Sequence, residues 1–413
     1  MFGISEVKRL TILREKYRKG CGLINYINMT QRIISFLLSA ALFASCSDKQ
    51  ASSEIIRVND AKQMQVNLSD YVVSLEYVPL ETKRECLIDK NPDFYVLDEY
   101  IVATTSRQCF LFDRSGKFIR EIGRYGRGPD EYRYASWGII NENKQTILLP
   151  SWDKRNEYSL NGNITRYFPT IPNTSMTAAY VSDSILVLGV DNTGGDAINQ
   201  LAFINQEKVV DTIPNYQFFK PYDPGSTGGF GSEFYFYRYR EDLYYKNVFN
   251  DTIFCIKDRK LHPKWVFDMG KYHLSHSIMA NTNTFMEEVL KYNRVLDILE
   301  TEPFLLFSIV REKNNSAFIL DKRKNQVFVM QKEQKLKGFN NDIDGGLPFW
   351  PTYINRKQEL ISFLHPYEMK EMLTNEYFER KNIRDEAANL RLRTLVERLQ
   401  EEDNPVIVIA QLK

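Results

Sequence analysis

Six times along this chain an apolar run enters a short polar turn and leaves as a second apolar run, and that repeat most narrows the fold. The clearest copy lies in residues 112–132 (FDRSGKFIREIGRYGRGPDEY), where FLF and KFIREI flank a DRSG turn. Gly116 stands where the turn needs a positive φ, which glycine adopts without steric cost. The second copy, residues 158–166, turns at Asn161-Gly162, the strongest short hairpin signal in the sequence. Residues 203–213, 252–266, 318–330 and 353–364 repeat the order of strand, polar turn and strand.

The hairpins follow at roughly 45 residues up to Lys257 and at wider intervals afterwards, where insertions must lie. Short antiparallel sheets at such a period are propeller blades, which bury their apolar faces only against neighbours. Six hairpins predict an all-β, six-bladed β-propeller. A large β-sandwich would instead give turn signals about every 8–12 residues, without this recurring turn. Aromatic residues make up 13% of the chain, which agrees with pleated sheets as the main packing surface.

Three stretches break the strand pattern. Residues 283–292 and 365–373 are short and helical in pattern; residues 383–400 are longer. In the last, Ala387, Leu390, Leu392, Leu395, Val396 and Leu399 are expected on one buried face, packed on the rim of the propeller. Residues 405–413 (PVIVIAQLK) read as a strong final strand, expected to meet residues 66–80 where the ring closes.

The N-terminus reads as an export signal. Residues 29–45 place Arg32 before an apolar run from Ile33 to Phe43, too short to span a bilayer, with small residues leading to Cys46. The expected layout is a signal peptide over residues 1–45 with Met29 as the true start, a lipidated Cys46 with a tether over residues 46–62, and the propeller over residues 63–413. Without residues 1–45 the chain holds 47 basic and 51 acidic residues, so the mature protein is mildly acidic and no nucleic-acid partner is expected. Cys86, Cys109 and Cys255 then remain, an odd number without CxxC spacing, which fits buried thiols better than a disulfide framework or a zinc site. A Cys86–Cys109 pair stays open if adjacent strands bring the two together.

Several segments together resemble the six-bladed β-propeller lipoproteins of Bacteroidetes, distant relatives of NHL-repeat propellers. They are VPLET at 78–82, FDRSGKFI at 112–119, GRYGRGPDEY at 123–132, NDTI at 250–253, NDIDGG at 341–346, FWP at 349–351 and DNPV at 403–406. Asp130 departs from the pattern, since glycine commonly follows the proline in that family. The resemblance implies a propeller fold and an exported, cell-envelope location, with outer-membrane anchoring through the lipid; it carries no settled reaction.

Candidate site residues are few. Residues 123–132 have the spacing GxxGxG with no helix behind them, which speaks against a phosphate loop. Arg124, Arg127, Asp130 and Glu131 are the charged residues there that could meet a ligand at a propeller mouth. Asp342 and Asp344, followed by Gly345-Gly346, resemble the start of an oxygen-ligand loop for Ca²⁺, although a complete EF-hand pattern is missing. His273 and His276 have a spacing of three, compatible with two metal ligands on one helical turn. Residues 216–245 combine a glycine-rich loop with FYFYRY, aromatics suited either to stacking on sugars or to an inner strand. No GxSxG or HExxH motif occurs. The expected function is a binding or scaffolding propeller for a glycan, peptide or protein partner, held at the membrane by its N-terminal lipid. The competing expectation is a metal-dependent hydrolase or lyase with its site in the central channel.

Overall fold

The computed structural model describes residues 53–222, 233–281, 283–333, 336–379 and 382–413. The expected signal peptide, Met29, Cys46 and the glycine-rich loop at 224–231 lie outside the described residues.

Six sheets follow one another along the chain. Blade 1 covers residues 93–121, blade 2 139–169, blade 3 174–214, blade 4 234–268 and blade 5 294–330, each with four antiparallel strands in chain order. Blade 6 joins Tyr353–Ile354, Glu359–Leu364 and Val406–Leu412 to Val72–Pro79 from near the start of the chain. The middle strands are buried on both faces because each sheet is covered by its two neighbours; Ile101, Val102 and Ala103 in blade 1 and residues 304–307 in blade 5 have no exposed surface. Outer strands such as Phe118–Glu121 and Val209–Pro214 stay largely open to solvent.

Apolar clusters at successive seams close the ring. Leu111 of blade 1 and Ile122, just after its last strand, pack with Leu149 and Tyr158 of blade 2; Leu148 and Phe168 then meet Leu186 of blade 3. Val187 and Phe203 meet Phe234 and Tyr245 of blade 4, whose Trp265 and Phe267 meet Leu305 and Phe307 of blade 5. Leu306 and Ile319 meet Leu360 and Val408 of blade 6. Ile361 and Ile409 return to Phe94 and Ile101 of blade 1. The chain is therefore a six-bladed β-propeller, and the expected meeting of its two terminal strands is its closure: Val406 pairs with Pro79 and Leu412 with Val72.

The turn chemistry holds where it was clearest. Gly116 has φ +88° and Gly162 φ +84°. A Cβ on Gly116 would lie 2.3 Å from the Pro79 carbonyl oxygen, so the position excludes a side chain as well as favouring positive φ. Five of the six hairpins are the third and fourth strands of their blades. The sixth, at 353–364, is instead the first and second strands of blade 6, since closure supplies its outer two strands from the ends of the domain.

Two expectations need correction. The tether does not run free to residue 62: Glu54–Arg57 adds in parallel to Lys260–Asp268 of blade 4, and Lys62–Met64 adds in parallel to Gln326–Met330 of blade 5. Ile56 and Val58, 1% and 6% exposed, pack into the seam between these blades, and that burial holds the segment against the ring. The long helix is Glu386–Arg398, capped by Asp385, whose carboxylate accepts from the Ala388 N–H at 2.9 Å. It buries Ala388, Asn389, Leu392 and Val396, while Ala387 and Leu390 face solvent. Helices Pro366–Met372, Asn375–Glu379 and Glu386–Arg398 fill the connection between the second and third strands of blade 6 and form their own apolar cluster around Tyr377, Phe378 and Leu392. Cys86, Cys109 and Cys255 are buried free thiols.

Candidate functional site

The first strands of blades 2, 3, 4 and 5 lie against one another in turn, as they do around the centre of a propeller. Side chains of several blades meet there. The Tyr353 hydroxyl of blade 6 donates to the carboxylate of Glu142, in the turn after the first strand of blade 2, and the Arg356 N–H donates to its second oxygen at 3.2 Å. Blades 2 and 6 are not neighbours, so this bond runs through the centre. Tyr95 of blade 1 meets Tyr353 edge-on at 5.4 Å. Arg238 of blade 4 donates to the Tyr180 carbonyl of blade 3 and lies in the field of Glu142, Tyr353 and Asp183.

The electrostatics follow from this enclosure. Burial pushes the Glu142 carboxyl above its ordinary range, against the stabilising hydrogen bonds from Tyr353 and Arg356. Burial and the facing carboxylate of Glu142 push Tyr353 well up, so its hydroxyl stays a donor. Arg238 is pulled below the ordinary arginine value by burial, opposed by the surrounding acids. One carboxylate, one guanidinium and two phenols are thus preorganised at the axis. The set can donate and accept hydrogen bonds.

A second buried group precedes the first strand of blade 4. Glu233 is 3% exposed, and one of its carboxylate oxygens has no hydrogen-bond partner. Burial, reinforced by Asp191, raises its pKa to about 7; burial raises Asp191 itself to about 6.

Of the residues singled out from sequence, Glu131, Asp342 and Asp344 make hydrogen bonds within the fold. In the loop between blades 1 and 2, Glu131 turns inward to accept from the Gly128 N–H at 2.7 Å. A Cβ on Gly123, at φ +65°, would lie 2.8 Å from the Tyr158 ring, so this glycine is fixed by packing. Asp130 is exposed; its carboxylate accepts from Tyr167 and its carbonyl from Tyr158. Arg124 and Arg127 are exposed on the same loop. Asp342 is 5% exposed and accepts from the Ser69 N–H at 2.9 Å and the Ser69 hydroxyl at 2.5 Å, with Arg384 2.8 Å away. Asp344 accepts from Asn341 at 2.7 Å and from the Gly346 N–H at 2.9 Å. These two carboxylates tie the loop to the start of the chain and to itself. Among the described residues no group of three or more His, Cys, Asp or Glu is placed to hold a metal ion.

The histidines diverge. His273 meets Asp251 at 2.6 Å, whereas His276 meets Gln217 at 3.0 Å, stacks on Phe249 at 4.3 Å and is pushed by burial to about 4. Of the aromatics in 216–245, Phe234 and Tyr245 are core, and Tyr237 stacks on Tyr244 at 5.1 Å. Tyr216 and Tyr222 are exposed. Sequence reasoning missed Tyr95, Glu142, Arg238 and Tyr353, which share no motif. Their available signal was weak: a polar or phenolic side chain in or just after the first strand of a repeat.

Fold and site together define a six-bladed propeller with a polar axis. The family described as a domain of unknown function (DUF4934) matches residues 53–411, and the chain belongs to that family. No curated protein matches it. A Bacteroides fragilis crystal structure, described as that of an exported protein, is similar at a TM-score of 0.67 and 19% identity, covering 87% of this chain and 99% of that one. At that identity the likeness speaks for the fold. Two weaker likenesses carry no argument. A dihydro-heme d1 dehydrogenase has 12% identity, a TM-score of 0.35 and coverage of 59% of this chain and 48% of that one. The extracellular domain of a one-component system from B. thetaiotaomicron has 10% identity, a TM-score of 0.34 and coverage of 65% and 31%. Among the described residues no helix is long and apolar enough to cross a membrane.

Proposed function

We propose that this protein is a cell-envelope lipoprotein, exported and anchored in the outer membrane through Cys46, whose propeller binds a polar glycan, peptide or protein segment at its axis. The observation that carries this reading is the bond from Tyr353 to Glu142 across the centre, with Arg238 of a third blade facing both. A propeller held together by apolar seams has no need of a carboxylate and a guanidinium at its centre. Glu142 is half-buried and Arg238 is exposed, so both can be reached from solvent, and a few convergent polar groups are the usual form of a recognition surface. The exported neighbour in Bacteroides fragilis and the signal-like N-terminus support the location.

The test is a thermal-shift screen of oligosaccharides and peptides against the wild-type protein and the Glu142→Gln and Arg238→Gln variants. A ligand at about 100 times its Kd adds roughly 2.7 kcal/mol to the stability of the folded state. Ligands that raise the wild-type Tm and lose that effect in both variants support the reading. Ligands that stabilise all three proteins equally would place recognition away from the axis.

A further inference from the structure

Between blades 4 and 5, where the first strands of both blades end, lies a pocket of about 600 Å³, within the usual range for ligand sites. At its base is Glu300, whose side chain has no exposed surface. It accepts from the Tyr237 hydroxyl at 2.8 Å, pairs with the Lys322 ammonium at 2.6 Å and has the Trp265 indole N–H at 3.4 Å. Lys322 also sits 4.0 Å from the centre of the Tyr239 ring. The rim carries two more pairs, Arg240 with Glu302 at 2.5 Å and Lys264 with Glu54 at 3.1 Å. Tyr239 donates to Glu302 at 2.6 Å. Glu54 belongs to the N-terminal strand laid along blade 4, so that strand supplies part of the wall.

Two features point to the occupant. A buried ion pair is rarely more stabilising than a well-packed apolar substitute, so Glu300 and Lys322 are poorly explained by seam packing alone. Moreover, every carboxylate lining the pocket has its own cation, Asp242 being paired with Lys257 at 3.2 Å. Such a wall has little net field to attract an anion or a metal cation. It offers adjacent acceptors and donors, which suit hydroxyl groups that donate to a carboxylate while accepting from its partner. The half-buried Tyr239 adds apolar surface for the C–H face of a sugar ring.

We propose that this pocket is a second binding site, for a neutral oligosaccharide. The inference rests on the reading of the protein as a binding propeller but not on the axial cluster. The experiment titrates the full chain, in a zwitterionic detergent, with neutral glucan, mannan and galactan oligosaccharides and with oligogalacturonate, using calorimetry. At least one neutral series is expected to bind, with affinity lowered tenfold or more in Tyr239→Ala and Glu302→Ala and unchanged in Glu142→Gln. Glu302 is well exposed, so its variant is expected to keep the wild-type Tm. The proposal is overturned if no neutral series binds, if only the uronate binds, or if both pocket variants bind as the wild type does. Neutral-sugar binding lost in Glu142→Gln but kept in the pocket variants would overturn it while upholding the axial site.

Discussion

Ile409 stands directly opposite Glu76, in a register that joins the last strand of the chain to one near its beginning. Val406, Ile407, Val408, Ile409 and Ala410 are all buried. At roughly 1.5–3 kcal/mol for each large buried apolar side chain, this strand contributes as much as the typical net stability of a domain. Deleting residues 405–413 is therefore expected to abolish the cooperative thermal transition seen by circular dichroism. A deletion variant that melts like the full chain would contradict closure by this strand.

Ile56 lies in a segment with the polar composition of a tether, yet it is 1% exposed. Ile56→Ala should lower the unfolding free energy by about 2–4 kcal/mol, since the cavity left between blades 4 and 5 adds to the lost transfer free energy. Urea denaturation measures this directly. A change below about 0.5 kcal/mol would mean that residues 54–57 are not held against blade 4 in solution.

These two cases show what the sequence could and could not reveal. The Gly116 and Asn161-Gly162 turns were legible because their chemistry is local, and the final strand because residues 405–413 favour a strand wherever they lie. The strand at Glu54–Arg57 was not legible: it is four residues long, and its partner around Trp265 lies far along the chain. On the helix Glu386–Arg398, Leu390 was expected inside, but Asn389 takes the inward place because its amide donates to the Asp344 carbonyl at 2.8 Å. Glu142 carried no mark in the sequence, since what makes it a site is Tyr353 from another blade.

Glu233 should make stability depend on pH. Its pKa rises from an ordinary 4.5 to about 7 in the folded state, so between these values the folded protein holds a proton that the unfolded chain has released. Stability must then fall as pH rises from about 4.5 to 7, by about 3 kcal/mol from this group. Glu233→Gln is expected to be more stable than the wild type at pH 8 and nearly equal to it at pH 4. Equal stabilities at both pH values would show that Glu233 is not buried in this way.

Cys46→Ala should leave an unprocessed precursor of higher mass that carries no lipid. Globomycin, which blocks lipoprotein signal processing, should have the same effect on precursor size. Unchanged size under both treatments would contradict a lipid anchor at Cys46.

The most direct test concerns the axis. For a peptide or charged glycan found by thermal shift, calorimetric titration of the wild type, Glu142→Gln and Arg238→Gln should show a loss of affinity of tenfold or more in each variant, about 1.4 kcal/mol, with the melting temperature of the free protein little changed. Equal affinity in all three proteins would contradict recognition by the Glu142, Tyr353 and Arg238 cluster.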